Sequence, residues 1–220
     1  MRILLRMSPG IAVAVILTLT ASPAAHANIV FTLGNNPQPG EQNVLLNTGA
    51  SGATITGTLN QSGDIVTFTS ATQTLTEPAN GQARVEAVGA TGGQVALSDV
   101  TSITLATGNY QDIIFNSNIS GTIGTPGGTE TVTVIDNLGT PHVFTFDLGN
   151  GSNFLTIFAQ NGESIASTSI SYPTGFTDLR QIRISTQQEI PEPSTLALAG
   201  TGFMSLLAAY GWRRRCERRA

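Results

Sequence analysis

The 220-residue chain predicts an all-β fold, an antiparallel β-sandwich or jelly roll, set between two apolar terminal segments. Three observations predict it. Short runs rich in β-branched and aromatic residues recur about every ten residues with period-two alternation, and no run of useful length holds a helical period. Between the runs sit Gly, Asn, Pro and Asp pairs that favour turns. The apolar stretches that suit helices are confined to the two ends.

The strands expected from alternation are 29–33, 44–48, 53–59, 65–70, 74–77, 83–88, 94–97, 102–106, 112–116, 130–136, 142–147, 153–159, 164–171 and 179–186. Gly34-Asn35-Asn36-Pro37, Ser62-Gly63, Pro78-Ala79-Asn80-Gly81, Thr107-Gly108-Asn109, Pro126-Gly127-Gly128, Gly149-Asn150-Gly151 and Asn161-Gly162 separate them. Asn161-Gly162, flanked by alternating runs, reads as a hairpin turn. In Thr131-Val132-Thr133-Val134 the valines point inward, and Phe144 and Phe146 share one face. Arg180 falls on the face of Ile182 and Ile184. An inward arginine needs a partner, and Asp178 is the expected one.

Residues 1–27 read as a secretory signal with a helical apolar core. Arg2 and Arg6 form its basic start, residues 11–19 its apolar run, and Ala25-His26-Ala27 an A-x-A cleavage site with Ala25 and Ala27 as its small residues. The expected mature start is Asn28, and the expected partners at this end are a secretion translocon and a signal peptidase. The body, 28–189, is long enough for one domain that buries roughly 70% of its unfolded surface.

At the other end, 190–220 joins three parts. Pro191-Glu192-Pro193 is a short polar motif. Residues 195–212 carry no charge and, as a helix, span about 27 Å, the short end of a bilayer core. Arg213, Arg214, Arg215, Arg218 and Arg219 follow in the tail at 213–219 and hold the C-terminus in the cytoplasm by the positive-inside rule. The span lacks a polar stripe beyond Ser and Thr, unlike the amphipathic helix of a soluble core. Motif, span and basic tail in this order resemble the PEP-CTERM sorting signal of Gram-negative bacteria, also known as the ice-binding protein C-terminal domain. The resemblance implies recognition by an exosortase-type membrane enzyme. It implies anchoring in the inner membrane before processing, then release or transfer to the cell surface or extracellular matrix. It implies no ice binding. The body, from Asn153-Phe154-Leu155-Thr156 through Gly162-Glu163-Ser164-Ile165 to Gly175-Phe176-Thr177-Asp178-Leu179-Arg180-Gln181-Ile182-Arg183-Ile184, resembles the β-sandwich ectodomains that precede such tails, a group without a common activity.

The body holds three arginines (Arg84, Arg180, Arg183), no lysine and twelve acids, a net of about −9. That excess argues against nucleic acid as a partner. Cys216 is the sole cysteine and lies in the tail, so no disulfide staples the body. It reads as a bystander, with juxtamembrane acylation the alternative.

Catalytic signals are sparse. His142 is the body's one histidine and reads as an exposed turn residue after Pro141; no Gly-x-Ser-x-Gly elbow accompanies it. One histidine without cysteine nearly excludes zinc, so no metal site and no cofactor are expected. Asp147 to Asn153 clusters oxygens that calcium could use, but turn hydrogen bonding is the better reading. Sugar sites favour Tyr and Trp faces. The body lacks Trp, which leaves Tyr110 and Tyr172, both expected exposed, as candidate ligand-binding residues. Phe31, Phe68, Phe115, Phe144, Phe146, Phe154 and Phe158 are expected in the core. Threonines at 54, 56, 58, 67 and 69 alternate along solvated faces. Asn60, Asn118 and Asn150 match the glycosylation pattern by chance. The expected function is an exported structural or adhesive component of the surface matrix without catalysis. A carbohydrate- or calcium-binding module is the alternative, a secreted hydrolase is third, and matrix polysaccharide is the external partner in view.

Overall fold

Alternation in the sequence becomes alternation in burial. The structure, a computed structural model, describes residues 28–78 and 83–186. The signal segment with Ala25 and Ala27, the motif Pro191 to Pro193, the apolar span and the basic tail lie outside the described residues. Among the described residues no helix is long and apolar enough to cross a membrane.

With strands numbered in chain order, one layer runs β1 (Asn28–Leu33), β13 (Phe154–Gln160), β10 (Asp112–Asn118) and β15 (Asp178–Ser185). Two strands extend β15: β2 (Glu41–Leu45) along one part and β7 (Arg84–Val88) along the other. β7 also holds β6 (Thr74–Thr76) and β8 (Gln94–Val95), and β6 holds β3 (Ser51–Gly52). The second layer runs β12 (Pro141–Asp147), β11 (Thr129–Asp136), β14 (Ile165–Phe176), β9 (Leu97–Leu105), β5 (Ile65–Thr69) and β4 (Thr54–Leu59). Every pairing is antiparallel, so the described chain is all-β.

β2 joins the layers. Glu41, Gln42 and Asn43 pair with β15, whereas Val44 and Leu45 pair with β4. The crossing is close: a Cβ on Gly57 would lie 2.8 Å from the Leu45 carbonyl oxygen, so glycine is what lets β2 pass over β4. At the far side the free edges meet through side chains. Phe31 of β1 stacks on Phe144 of β12 with ring centroids 5.2 Å apart, in the offset range that aromatic pairs favour.

One apolar core fills the space between. Val132 and Val134 of β11, Leu155 and Ile157 of β13, and Leu179, Ile182 and Ile184 of β15 are buried in it. Phe68 and Phe115 are core residues as expected, and Phe31, Phe144 and Phe146 pack against it partly buried. Phe154 and Phe158 are corrections. They lie on the opposite parity from Leu155 and Ile157 and so face outward, half-buried. Strand placement follows the expectation with shifted limits. Expected strand 102–106 begins at Leu97, expected strand 164–171 runs on to Phe176, and β3 was not foreseen. The threonine rows pair across strands, Thr54 with Thr69 and Thr56 with Thr67, on the solvent face.

Two buried acids stand out, Glu130 on β11 and Asp112 at the start of β10. Glu130 is fully buried, and no donor among the described residues reaches its carboxylate oxygens. Burial pushes its carboxyl up to about 8, with the nearby Ser117 hydroxyl opposing. Burial likewise raises Asp112 to about 7, with Glu41 adding to the rise. For a carboxyl raised on folding, stability is fully present below the unfolded value and is lost as pH climbs to the folded one. Glu130 therefore weakens the fold between its unfolded value of 4.5 and about 8. The slope is at most about 1.4 kcal/mol per pH unit. Guanidinium unfolding of the chain should show lower stability at pH 8 than at pH 5. Glu130→Gln should flatten most of that fall and stabilise the protein at pH 8. An unchanged slope in the variant would show that Glu130 is solvated.

Candidate functional site

The outer face of the first layer is built from cross-strand neighbours. Phe154 of β13 pairs with Asn116 of β10, Asn116 with Arg180 of β15, and Arg180 with Arg84 of β7, which sets these four in one row across the sheet. A parallel row carries Ile114, Arg183 and Asn43. A cleft of about 640 Å³ lies over these rows. Asn35, Asn43, Ser152, Phe154, Arg180, Gln181 and Arg183 line it. All three arginines of the body thus sit on one layer, although the sequence suggested no basic patch.

A bulge creates this surface. Ile114 faces Arg183 and Asn116 faces Arg180, so Phe115 alone opposes Gln181 and Ile182. Gln181 takes up the extra residue with φ of 54°, and its amide donates to the Ala83 carbonyl. The phase of β15 shifts there. Leu179 and Ile182 point in, while Arg180 and Gln181 both point out. The inward orientation expected for Arg180 is therefore corrected. Its expected partner is right: Arg180 Nε lies 2.5 Å from Asp178 Oδ1, and a second nitrogen reaches Oδ2.

The other groups are held in place too. The Asn116 amide donates to Ser152 Oγ and Gln181 Oε1, both at 3.1 Å, and its oxygen accepts from the Asn153 backbone at 2.8 Å. Arg183 pairs with Glu41 at 3.1 Å and reaches Asn35. Arg84 lies 2.9 Å from Glu86. The cleft floor is formed by Arg180, Gln181 and Arg183 beside the partly exposed ring of Phe154, while Asn116, fully buried with its amide engaged, supports it from beneath and Arg84 lies outside the cleft lining. Guanidinium and amide groups hydrogen-bond pairs of hydroxyls or carboxylates.

Tyr110 and Tyr172 are not part of any surface. Both are fully buried. The Tyr110 hydroxyl lies 3.2 Å from the Ile103 carbonyl oxygen and 2.7 Å from Thr168 Oγ1. The Tyr172 hydroxyl donates to the Thr125 carbonyl and accepts from the Gly128 amide. The partners of both phenols lie well beyond their flanking residues in the chain, so the polar residues that flank them in sequence signalled neither exposure nor partner. Neither ring can stack on a sugar. Asn118 is also buried, unlike a glycosylation acceptor.

The stretch from Asp147 to Asn153 is a turn stitched by one side chain. Asn153 Oδ1 accepts from the Gly149 amide, and its Nδ2 donates to the carbonyls of Ser117 and Gly149. The turn reading fits it.

His142 belongs elsewhere than expected. It lies on β12 with the inward parity of Phe144 and Phe146, and its Nε2 is 2.9 Å from Asp136 Oδ2. Among the described residues no hydroxyl is hydrogen-bonded to its ring, so no Ser–His–Asp triad forms. Asp136 Oδ1 accepts from the Leu138 and Thr140 amides. The His142 partner, then these amides, hold the Asp136 carboxyl far below the usual range. Glu163 completes a cluster of three, with ligand atoms all within 4.8 Å of one another. Burial first, then Asp136 beside it, pushes the Glu163 carboxyl up. Sequence reasoning missed the cluster because it counted histidines. Parity held the clue, since Glu130 and Asp136 share the inward face of Val132 and Val134.

The bulge is testable. Gln181→Val puts a β-branched side chain at positive φ and should lower stability by about 1–3 kcal/mol. Gln181→Gly should stay within about 1 kcal/mol of the parent in the same chemical unfolding experiment. Equal stability of the valine variant would contradict the bulge.

Comparison with known proteins gives one match in sequence and several in shape. No curated protein matches the chain. Among solved structures, the chain is similar to CBM29_1, a family 29 carbohydrate-binding module from Piromyces equi, at 8% identity, over 78% of this chain and 97% of that one, with a TM-score of 0.26. It is also similar to a mutant of CBM29-2 complexed with mannohexaose, at 10% identity, over 72% and 89%, with a TM-score of 0.28. In sequence, the PEP-CTERM protein-sorting motif matches residues 189–215. The chain carries, at its C-terminal end, a PEP-CTERM protein-sorting motif.

Proposed function

We propose that the chain is an exported, exosortase-sorted surface protein whose β body is a non-catalytic adhesive module that holds matrix polysaccharide in the cleft. The sorting motif supports the address: insertion by residues 195–212, processing near Pro191 to Pro193, and delivery to the surface or matrix. The observation that supports the binding reading is the cleft lining of Phe154, Arg180, Gln181 and Arg183, with Asn35, Asn43 and Ser152 beside them. Sugars are bound by this combination: an apolar ring face for C–H groups and planar donors for vicinal hydroxyls. Two guanidinium groups in the cleft favour an acidic polysaccharide over a neutral one. A catalytic role lacks support in the arrangement, because the acids near the cleft, Asp178 and Glu41, are engaged with its arginines.

The test is calorimetric titration of the chain with its host's purified extracellular polysaccharide and with defined uronic-acid and neutral hexasaccharides. Acidic oligosaccharides should bind saturably and more tightly than neutral ones. Phe154→Ala and Arg183→Ala should each weaken binding about 10-fold to 100-fold, the loss of one stacking or charge-assisted contact. Thr131→Ala, on the outer face of the other layer, should leave it unchanged. Arg180→Ala is a poor probe, since it strands the buried Asp178 carboxylate. Binding indifferent to Phe154 and Arg183 would reject the cleft. No binding to any saccharide would leave a structural matrix component as the better account.

A further inference from the structure

The hairpin tips at one end of the body bring together a group of ligands that the cleft does not use. Asp136 closes β11, His142 opens onto β12 after the Asn137–Thr140 turn, and Glu163 follows the Asn161-Gly162 turn between β13 and β14. Asn161 and Gly162 both take positive φ, as a tight hairpin turn requires, and this fixes where Glu163 emerges. A backbone bond from Asn137 N to the Ser164 carbonyl, 2.9 Å long, ties the two tips together.

Glu163 is the telling residue. It is only 2% exposed, and among the described residues its carboxylate meets no donor other than a proton shared with Asp136. A buried carboxylate without donors is costly unless a cation or a proton meets it. It is directed at Asp136 and His142, whose ligand atoms lie within 4.8 Å of its own. Asp136 Oδ2 and His142 Nε2 are 2.9 Å apart. Ligands about 2.1 Å from a tetrahedral ion stand about 3.4 Å apart, so an ion would replace the proton of this pair and part the two atoms by about 0.5 Å. The remaining Asp136 oxygen is pinned by two backbone amides, which orients the carboxylate as a supporting shell does. His142 is partly exposed, which gives an ion a way in and leaves further positions to water.

We propose that Asp136, His142 and Glu163 form a binding site for one first-row divalent transition-metal ion of the Zn²⁺ class, which cross-links the two hairpin tips. The imidazole decides the class. Ca²⁺ and Mg²⁺ take oxygen ligands, whereas a nitrogen with two carboxylates suits Zn²⁺ and its neighbours.

The chain contains only two histidines, His26 and His142, so each can be followed by its own resonances. The experiment uses the full chain in detergent, purified without a polyhistidine tag and stripped of metal, with labelled histidine. Titration with ZnCl₂ should move the His142 ring signals to saturation at one equivalent, and calorimetry should show the same end point. Glu163→Gln removes one ligand and a buried charge while keeping the shape, so the protein stays folded. It should weaken Zn²⁺ binding at least 10-fold, as should Asp136→Asn. CaCl₂ should leave the His142 signals in place. The proposal is overturned if stoichiometric Zn²⁺ does not move His142, if Glu163→Gln binds as tightly as the parent, or if Ca²⁺ alone produces the shift. Either of the first two results would identify the cluster as a proton-sharing structural contact.

Discussion

The register of β15 is the constraint on which the rest of the molecule depends. This strand pairs with β10, β2 and β7, so it carries the first layer, and through β2 it leads to the second. Its inward residues, Leu179, Ile182 and Ile184, are spaced three and then two apart. A regular strand cannot bury all three on one face; a bulge can. The strand therefore keeps a continuous apolar face and turns Arg180 and Gln181 outward side by side. Packing sets the bulge, and the bulge sets the surface chemistry.

Without a disulfide in the body, that packing is what holds the layers together. The buried polar groups show where the core tolerates an exception. Tyr110, Tyr172 and Asn116 are each satisfied by named partners, and they tie loops and layers to one another. Glu130 is not satisfied, and it makes the fold's stability depend on pH. Asp178 is paired with Arg180 through both carboxylate oxygens, so the cleft and the core share a side chain pair. A ligand that engaged Arg180 would act on a group already fixed in place, at little cost in ordering.

Much of this was legible in the sequence, and the illegible parts share a cause. Most strands followed from alternation because one face is dry and the other wet, whereas β10, buried at every position, followed from its β-branched run. The Asn161-Gly162 hairpin followed from the positive φ that the turn demands. The Asp178–Arg180 pair followed from the cost of an unpaired charge. The outward turn of Arg180 did not follow, because one extra residue reverses parity and nothing in Arg180-Gln181-Ile182 announces it. The Asp136–His142–Glu163 cluster was hidden for another reason. Its members come from two hairpins that lie side by side only once the layers form. Tyr110 and Tyr172 were misread because their flanking residues do not report where the rings point; each hydroxyl is met by groups distant in sequence. Phe154 was misread because a phenylalanine was assumed to be core, although its parity placed it outside.

The sorting motif and the cleft describe one molecule only if the body reaches the matrix and stays there. The most direct measurement is intact mass with peptide mapping of the protein recovered from its host's membrane, from its surface matrix and from the medium. The account predicts that the matrix form lacks residues 1–27 and everything beyond the Pro191–Pro193 region, and that added acidic polysaccharide releases it. A protein that keeps residues 196–220 and is found only in the membrane would contradict it. The body would then be the exported head of a single-span membrane protein.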